Sequence, residues 1–274
     1  MQNLTVKTLL LNIILLIPLF LSAQQGSTSK YELLKSYPCS SSVLGSDRLG
    51  NAYVIKSKNN LVKLLPDGTE SYNFNIVKFG QIGQIDTRNP LNLLVFFPDY
   101  ASLVLLDNTL SIQTELSLYT AGINQVSAVC LAYDNNIWVY DQVTLRLVKI
   151  DQAMKIIANS EDFSSIFPYE VNPNFMMERD NLLFLNDPEV GILVFDIYGT
   201  FKKSIPIKNI NSFQYVSNQI LYFRDNRFYS YNLNSLNTRE IPLPEYPDDM
   251  VKVHMQKERI YLLRKNQLDL YSFK

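Results

Sequence analysis

The chain has 274 residues, with 25 Lys+Arg against 26 Asp+Glu, one His, two Cys and only 9 Gly. Charges that cancel leave no basic field to hold nucleic acid, and a hydrophobic content of 47% excludes a disordered chain. Two Cys and a single His exclude a disulfide-built scaffold and a multi-His metal site.

Residues 1–23 read as an address. Lys7 precedes an apolar run from Leu9 to Leu21, and Leu21-Ser22-Ala23 gives a small-residue exit before Gln24. That order fits a secretory signal peptide. The run is broken by Asn12 and Pro18 and falls short of the ~20 apolar residues of a membrane-spanning helix. A retained anchor is the alternative. The first Cys beyond the exit is Cys39, which disfavours a lipid anchor, and no later run is long and apolar enough to span. The expectation is a periplasmic or secreted protein, one domain over 24–274, with no membrane span after cleavage.

The rest consists of short apolar runs broken by Asn, Asp, Gly and Pro, a strand-and-turn pattern. No ten-residue stretch carries apolar spacing of three and four, so an all-β domain is predicted. Tyr31–Tyr37 comes first. Asn51–Ile55 and Leu61–Leu65 follow, then the pairs Leu93–Phe97 with Ser102–Leu106 and Asn136–Tyr140 with Leu145–Ile150. Leu182–Leu185 with Gly191–Phe195, Ile220–Phe223 with Arg227–Tyr231, and Arg259–Leu263 with Leu268–Phe273 complete the series. The turn residues Asp67, Asp107, Asp151, Asp196 and Asn232 are spaced by 40, 44, 45 and 36. A period near 40 with several strands per unit is the mark of propeller blades.

Each unit has a further strand in front, expected nearest the central axis: Ser42–Gly45, Gly83–Asp86, Val126–Ala132, Asn174–Glu178, Ser212–Val216 and Val251–Met255. The first five have one behind: Ser71–Asn75, Ile112–Leu118, Lys155–Ala158, Lys202–Ile207 and Arg239–Leu243. Pro242 in the last suits an outer edge, because proline cannot donate to a ladder. The sixth unit stops at its third strand, which would leave an open edge. The orphan 31–37 supplies the missing strand, closing a six-bladed β-propeller of four-stranded antiparallel blades with the chain's own beginning.

Asp47-Arg-Leu-Gly-Asn-Ala-Tyr-Val54 and Val62-Lys-Leu-Leu-Pro-Asp-Gly68 resemble the blade motif of the NHL and YVTN-type β-propeller superfamily. Asp134–Val139 and Val194–Gly199 match in part, and the other units keep only the apolar pattern. The resemblance spans about 31–274. It implies the six-bladed fold and brings no catalytic residue.

Candidate site residues follow from the frame. His254 lies on the last inner strand and is a channel-lining candidate, since imidazole exchanges its proton near neutral pH. Its plainer role is a hydrogen-bonded wall residue. Asp86, Glu178 and Asn174 are the other channel-lining candidates. A hard cation asks for about six converging oxygens, more than these supply. No catalytic residue, metal or cofactor is assigned. Phe167, Tyr169 and Tyr246, in the aromatic- and Pro-containing links before blades 4 and 6, are candidate partner contacts. Cys39 and Cys130 fall in non-neighbouring blades, so two unpaired buried thiols are expected. The reading is a non-enzymatic binding or scaffold propeller of the bacterial envelope with another envelope protein as partner. The alternatives are a metal-dependent hydrolase or lyase working at the channel, and a small-ligand or glycan sensor.

Overall fold

A computed structural model describes residues 30–274, and the leader expected over 1–23 lies outside the described residues. These residues form six four-stranded antiparallel sheets, the blades of a ring. The first strand is β1 (Tyr31–Pro38). Blade 1 holds β2 (Leu44–Ser46), β3 (Ala52–Lys56), β4 (Asn60–Leu64) and β5 (Glu70–Asn75). Blade 2 holds β6 (Gln84–Asp86), β7 (Leu93–Phe97), β8 (Ser102–Leu106) and β9 (Ile112–Ser117). Blade 3 holds β10 (Val126–Leu131), β11 (Ile137–Asp141), β12 (Arg146–Ile150) and β13 (Ile156–Asn159). Blade 4 holds β14 (Phe175–Arg179), β15 (Leu182–Asp187), β16 (Gly191–Asp196) and β17 (Phe201–Ile205). Blade 5 holds β18 (Phe213–Val216), β19 (Gln219–Arg224), β20 (Arg227–Asn232) and β21 (Thr238–Ile241). Blade 6 holds β22 (Met250–Met255), β23 (Arg259–Arg264) and β24 (Gln267–Phe273). One short helix, α1 (Phe163–Ile166), capped by the Asp162 carboxylate, sits in the link between blades 3 and 4.

The ring closes as the strand count predicts. β1 pairs antiparallel with β24, from Tyr31 opposite Phe273 to Pro38 opposite Gln267. Its two anchors are buried: Tyr31 packs between blades 5 and 6, and Tyr37 between blades 6 and 1. Two boundaries move for local reasons. β2 begins at Leu44 because the Ser41 hydroxyl accepts the N–H groups of Val43 and Ile55, replacing ladder bonds. β21 ends at Ile241, where Pro242 has no N–H to give.

The apolar runs are continuous because a blade is buried on both faces. Side chains alternate between the two neighbouring seams. Leu93, Val95 and Phe97 pack between blades 1 and 2, while Leu94 and Phe96 of the same strand pack between blades 2 and 3. Ile137 and Val139 face blade 2; Trp138 and Tyr140 face blade 4. Phe184 packs against blade 5, and Leu183 and Leu185 against blade 3. Each seam is thus a small core of its own.

The turns between third and fourth strands are tight loops capped by an Asp side chain in blades 1 to 4 and by Asn232 in blade 5. Asp107 Oδ1 accepts the N–H groups of Thr109 and Ser111 at 2.8 and 2.9 Å, and Asp151 and Asp196 do the same. In blade 1 the equivalent position is Leu65, and Asp67 caps from two residues later. In blades 1 to 4 the fourth residue of the turn needs a left-handed backbone. Gly68 and Gly199 supply it in blades 1 and 4, but Leu110 (φ 60°) and Met154 (φ 63°) hold it in blades 2 and 3. Both of those side chains are buried in a seam, so apolar burial offsets the local strain.

Candidate functional site

The inner strands β2, β6, β10, β14, β18 and β22 surround a channel that encloses about 770 Å³. That is within the ~300–1,000 Å³ of small-molecule sites. Near the C-terminal ends of these strands, two polar clusters tie the blades together, each joining three.

The first centres on Arg88, just past β6. Its Nε donates to Asp86 Oδ1 at 2.8 Å and its Nη2 to the Leu131 carbonyl at 2.9 Å. Further bonds reach Asp86 Oδ2 and, from Nη1, the carbonyl of Glu178. Asp86 Oδ2 also accepts the Leu131 N–H at 3.0 Å. One guanidinium therefore spans blades 2, 3 and 4. Burial disfavours both charges, but their mutual attraction and hydrogen bonds outweigh it. The Asp86 carboxyl is held below its ordinary value and the Arg88 guanidinium above its own. Next to them, Gln84 Nε2 donates to the Val129 carbonyl at 2.7 Å, so a side-chain amide does the work of a missing backbone pair.

The second cluster joins blades 1, 5 and 6. Gln214 Oε1 accepts the Met255 N–H at 2.7 Å, and its Nε2 lies 3.5 Å from Ser46 Oγ. Gln256 Nε2 donates to the same Ser46 Oγ at 2.8 Å. Ser46 Oγ is 3.1 Å from His254 Nδ1. With two amides donating to the hydroxyl, its own hydrogen is left for Nδ1. The imidazole then carries its hydrogen on Nε2, for which no protein partner exists among the described residues. Burial, reinforced by the neighbouring Lys252 ammonium, pushes the His254 pKa well below its ordinary value, so the ring is neutral at neutral pH.

The sequence-derived candidates fall in different places. His254, Asp86 and Asn174 line the channel. Asn174 is exposed there, its Oδ1 accepting from Asn186 Nδ2 at 2.7 Å. Glu178 is turned away, into the seam between blades 3 and 4. Its Oε1 accepts the Tyr133 N–H at 2.9 Å and its Oε2 the Trp138 indole N–H at 2.8 Å. Asp86 and Glu178 are both occupied by donors and are not brought together. Phe167 is buried in the core of the seam between blades 3 and 4, edge-on to Phe201, and Tyr169 stacks on it at the surface. Tyr246 is exposed, with the Arg227 guanidinium 4.8 Å from its ring centre. Cys39 and Cys130 are buried and unpaired. Burial pushes the Cys39 thiol up to about 11 and the Cys130 thiol higher still.

Lys252 was not singled out by sequence reasoning. It stands two residues before His254 on β22, half-buried in the channel wall. Burial lowers its pKa from 10.5 to about 8. The other lysines held in the blade seams have partners: Lys63 donates to the Asn108 carbonyl at 2.7 Å and Lys149 pairs with Asp134 at 2.8 Å. Lys252 has no hydrogen-bond or ion-pair partner among the described residues. The available signal was the two-residue alternation from His254, which puts both side chains on one face of the strand.

No protein-family model matches the sequence, and no curated protein matches it. Solved structures do. A streptogramin B lyase superposes with a TM-score of 0.61 at 12% identity, covering 89% of this chain and 98% of that one. The WD40 domain of Pan2 from Neurospora crassa gives 0.65 at 10% identity, covering 89% and 96%. A catalytically inactive variant of virginiamycin B lyase from Staphylococcus aureus with quinupristin gives 0.58 at 12% identity, covering 89% and 100%. At such identities the likeness shows the propeller fold alone, on which both lyases and a WD40 domain are built.

Proposed function

We propose that the protein is an exported, non-enzymatic binding propeller of the bacterial envelope that engages a protein partner through one rim of the ring. The observation that carries this reading is a repeated exposed apolar position. Leu49, Leu91 and Tyr133 occupy the loop between first and second strands in three consecutive blades, 42 residues apart each time. They are 60%, 62% and 74% exposed. Antiparallel order puts these loops at the same end of the ring as the turns between third and fourth strands, where Tyr198 and Leu236 are also exposed. Large apolar side chains held in water at equivalent positions are the composition of a contact surface. Export rests on the leader over 1–23. Among the described residues, no helix is long and apolar enough to cross a membrane. The hydrolase alternative draws less support, because the carboxylates of Asp86 and Glu178 are committed to blade-to-blade bonds.

The test is affinity capture from envelope fractions with the wild-type chain, a Leu49→Ser/Leu91→Ser/Tyr133→Ser variant and a Tyr169→Ser/Tyr246→Ser variant. The expected result is one specific protein held by the wild type and by the second variant and lost by the first, with melting temperatures unchanged. Capture unaffected by the first variant, or lost with the second, would refute this rim as the surface.

A further inference from the structure

The channel is distinct from the exposed apolar positions of the rim, none of which lines it. Among the lining groups without a protein acceptor in the described residues are two side by side, the Lys252 ammonium and the His254 Nε2–H, two residues apart on one face of β22. Even a half-buried cation with no counter-charge is costly, and folded proteins ordinarily pair it. Here the acidic groups that line the channel are engaged elsewhere. Asp86 is bound by Arg88, and Asp47 accepts from the Leu49, Asn51 and Tyr53 groups of its own turn. The channel also carries Arg48 and Arg179, so cations outnumber carboxylates along its wall. Elsewhere on the wall, Val43, Ile85 and Phe175 turn half-buried apolar surface to the same space.

A donor-rich, acceptor-poor patch beside apolar wall, in about 770 Å³, describes one kind of guest. We propose that the channel binds a small organic anion, a carboxylate on an apolar body, with Lys252 as its counter-charge and His254 Nε2–H as its second donor. Ser46 fixes the imidazole tautomer and is a positioning residue. Neutral His254 donates without needing a proton from solvent, so the two donors work together at neutral pH. The nearby Gln214 and Gln256 amides are already spent on Ser46 and Met255 and take no part.

The experiment uses a matched pair of probes, naphthalene-2-carboxylate and naphthalene-2-carboxamide, titrated calorimetrically into the purified chain at pH 7. The two share the apolar body and differ in charge. The expected result is at least a tenfold preference for the carboxylate. Lys252→Met should abolish the preference by weakening the carboxylate to the level of the amide, and Lys252→Arg should retain most of it. His254→Leu should weaken the carboxylate several-fold and leave the amide little changed. Equal affinities in the wild type, no binding of the carboxylate up to about 1 mM, or a preference surviving Lys252→Met would each overturn the proposal. The wild-type comparison stands even where a variant does not fold.

Discussion

Replacing Lys252 with methionine should make the protein more stable, and the gain should vanish as pH rises. In the folded channel the ammonium loses its proton near pH 8, against 10.5 for an ordinary lysine. At ~1.4 kcal/mol per tenfold change in acidity, that difference sets a ceiling of about 3 kcal/mol on the penalty the charge imposes. The sign follows from proton binding. The unfolded chain holds this proton more tightly, so stability rises with pH between about 8 and 10.5. Below that window the penalty is complete, and above it the penalty is gone. Methionine keeps the length of the chain and removes the charge. Channel water screens part of the penalty in the wild type, so at pH 7 the variant should gain about 2 kcal/mol, or roughly 4–8 °C in melting temperature. At pH 10 the gap should have largely closed. His254 is the nearest titrating neighbour and is already neutral across this range. Urea unfolding followed by the fluorescence of Trp138, the single tryptophan, measures both quantities. A variant no more stable than the wild type at pH 7, or a gap that stays constant to pH 10, would refute the reasoning.

Arg88→Met should cost about 3 kcal/mol, because it leaves the Asp86 carboxylate buried without its partner and unties three blades at once; urea midpoints at unchanged slope would show it. Deleting residues 24–38 removes β1 and opens blade 6, and should lower the melting temperature markedly or abolish cooperative unfolding; an unchanged melting temperature would disprove closure through the chain's beginning. Cys39 and Cys130 should react with a thiol reagent only slowly in the native protein, since both are buried with raised pKa values, and two thiols should titrate after denaturation.

The ring was legible because its cause is local. Blades buried on both faces demand uninterrupted apolar strands, and the turns between them demand residues such as Asp107, Asp151 and Asp196 that cap a tight loop. Both demands recur at the blade period, so both are written into the sequence. Even the scarcity of Gly has a structural reading: Leu110 and Met154 hold left-handed positions that glycine fills elsewhere, because their side chains reach a seam.

The channel was less legible because its polar side chains bond to backbone. Gln84 reaches Val129, Asp86 reaches Leu131 and Glu178 reaches Tyr133, each across 45 residues. A carbonyl or N–H one blade away can belong to any residue type and leaves no trace in the sequence. An acidic residue on an inner strand therefore reads alike whether it lines the channel, as Asp86 does, or turns into a seam, as Glu178 does. Once the blade-tying bonds are assigned, Arg88, Asp86, Gln84, Gln214, Gln256 and Ser46 are all explained by closure of the ring. Lys252 and the outer nitrogen of His254 are not. Polar groups that stabilise a fold can be paired within it, so an ammonium and an imidazole N–H left unpaired side by side on one strand are better explained by something the fold itself does not contain.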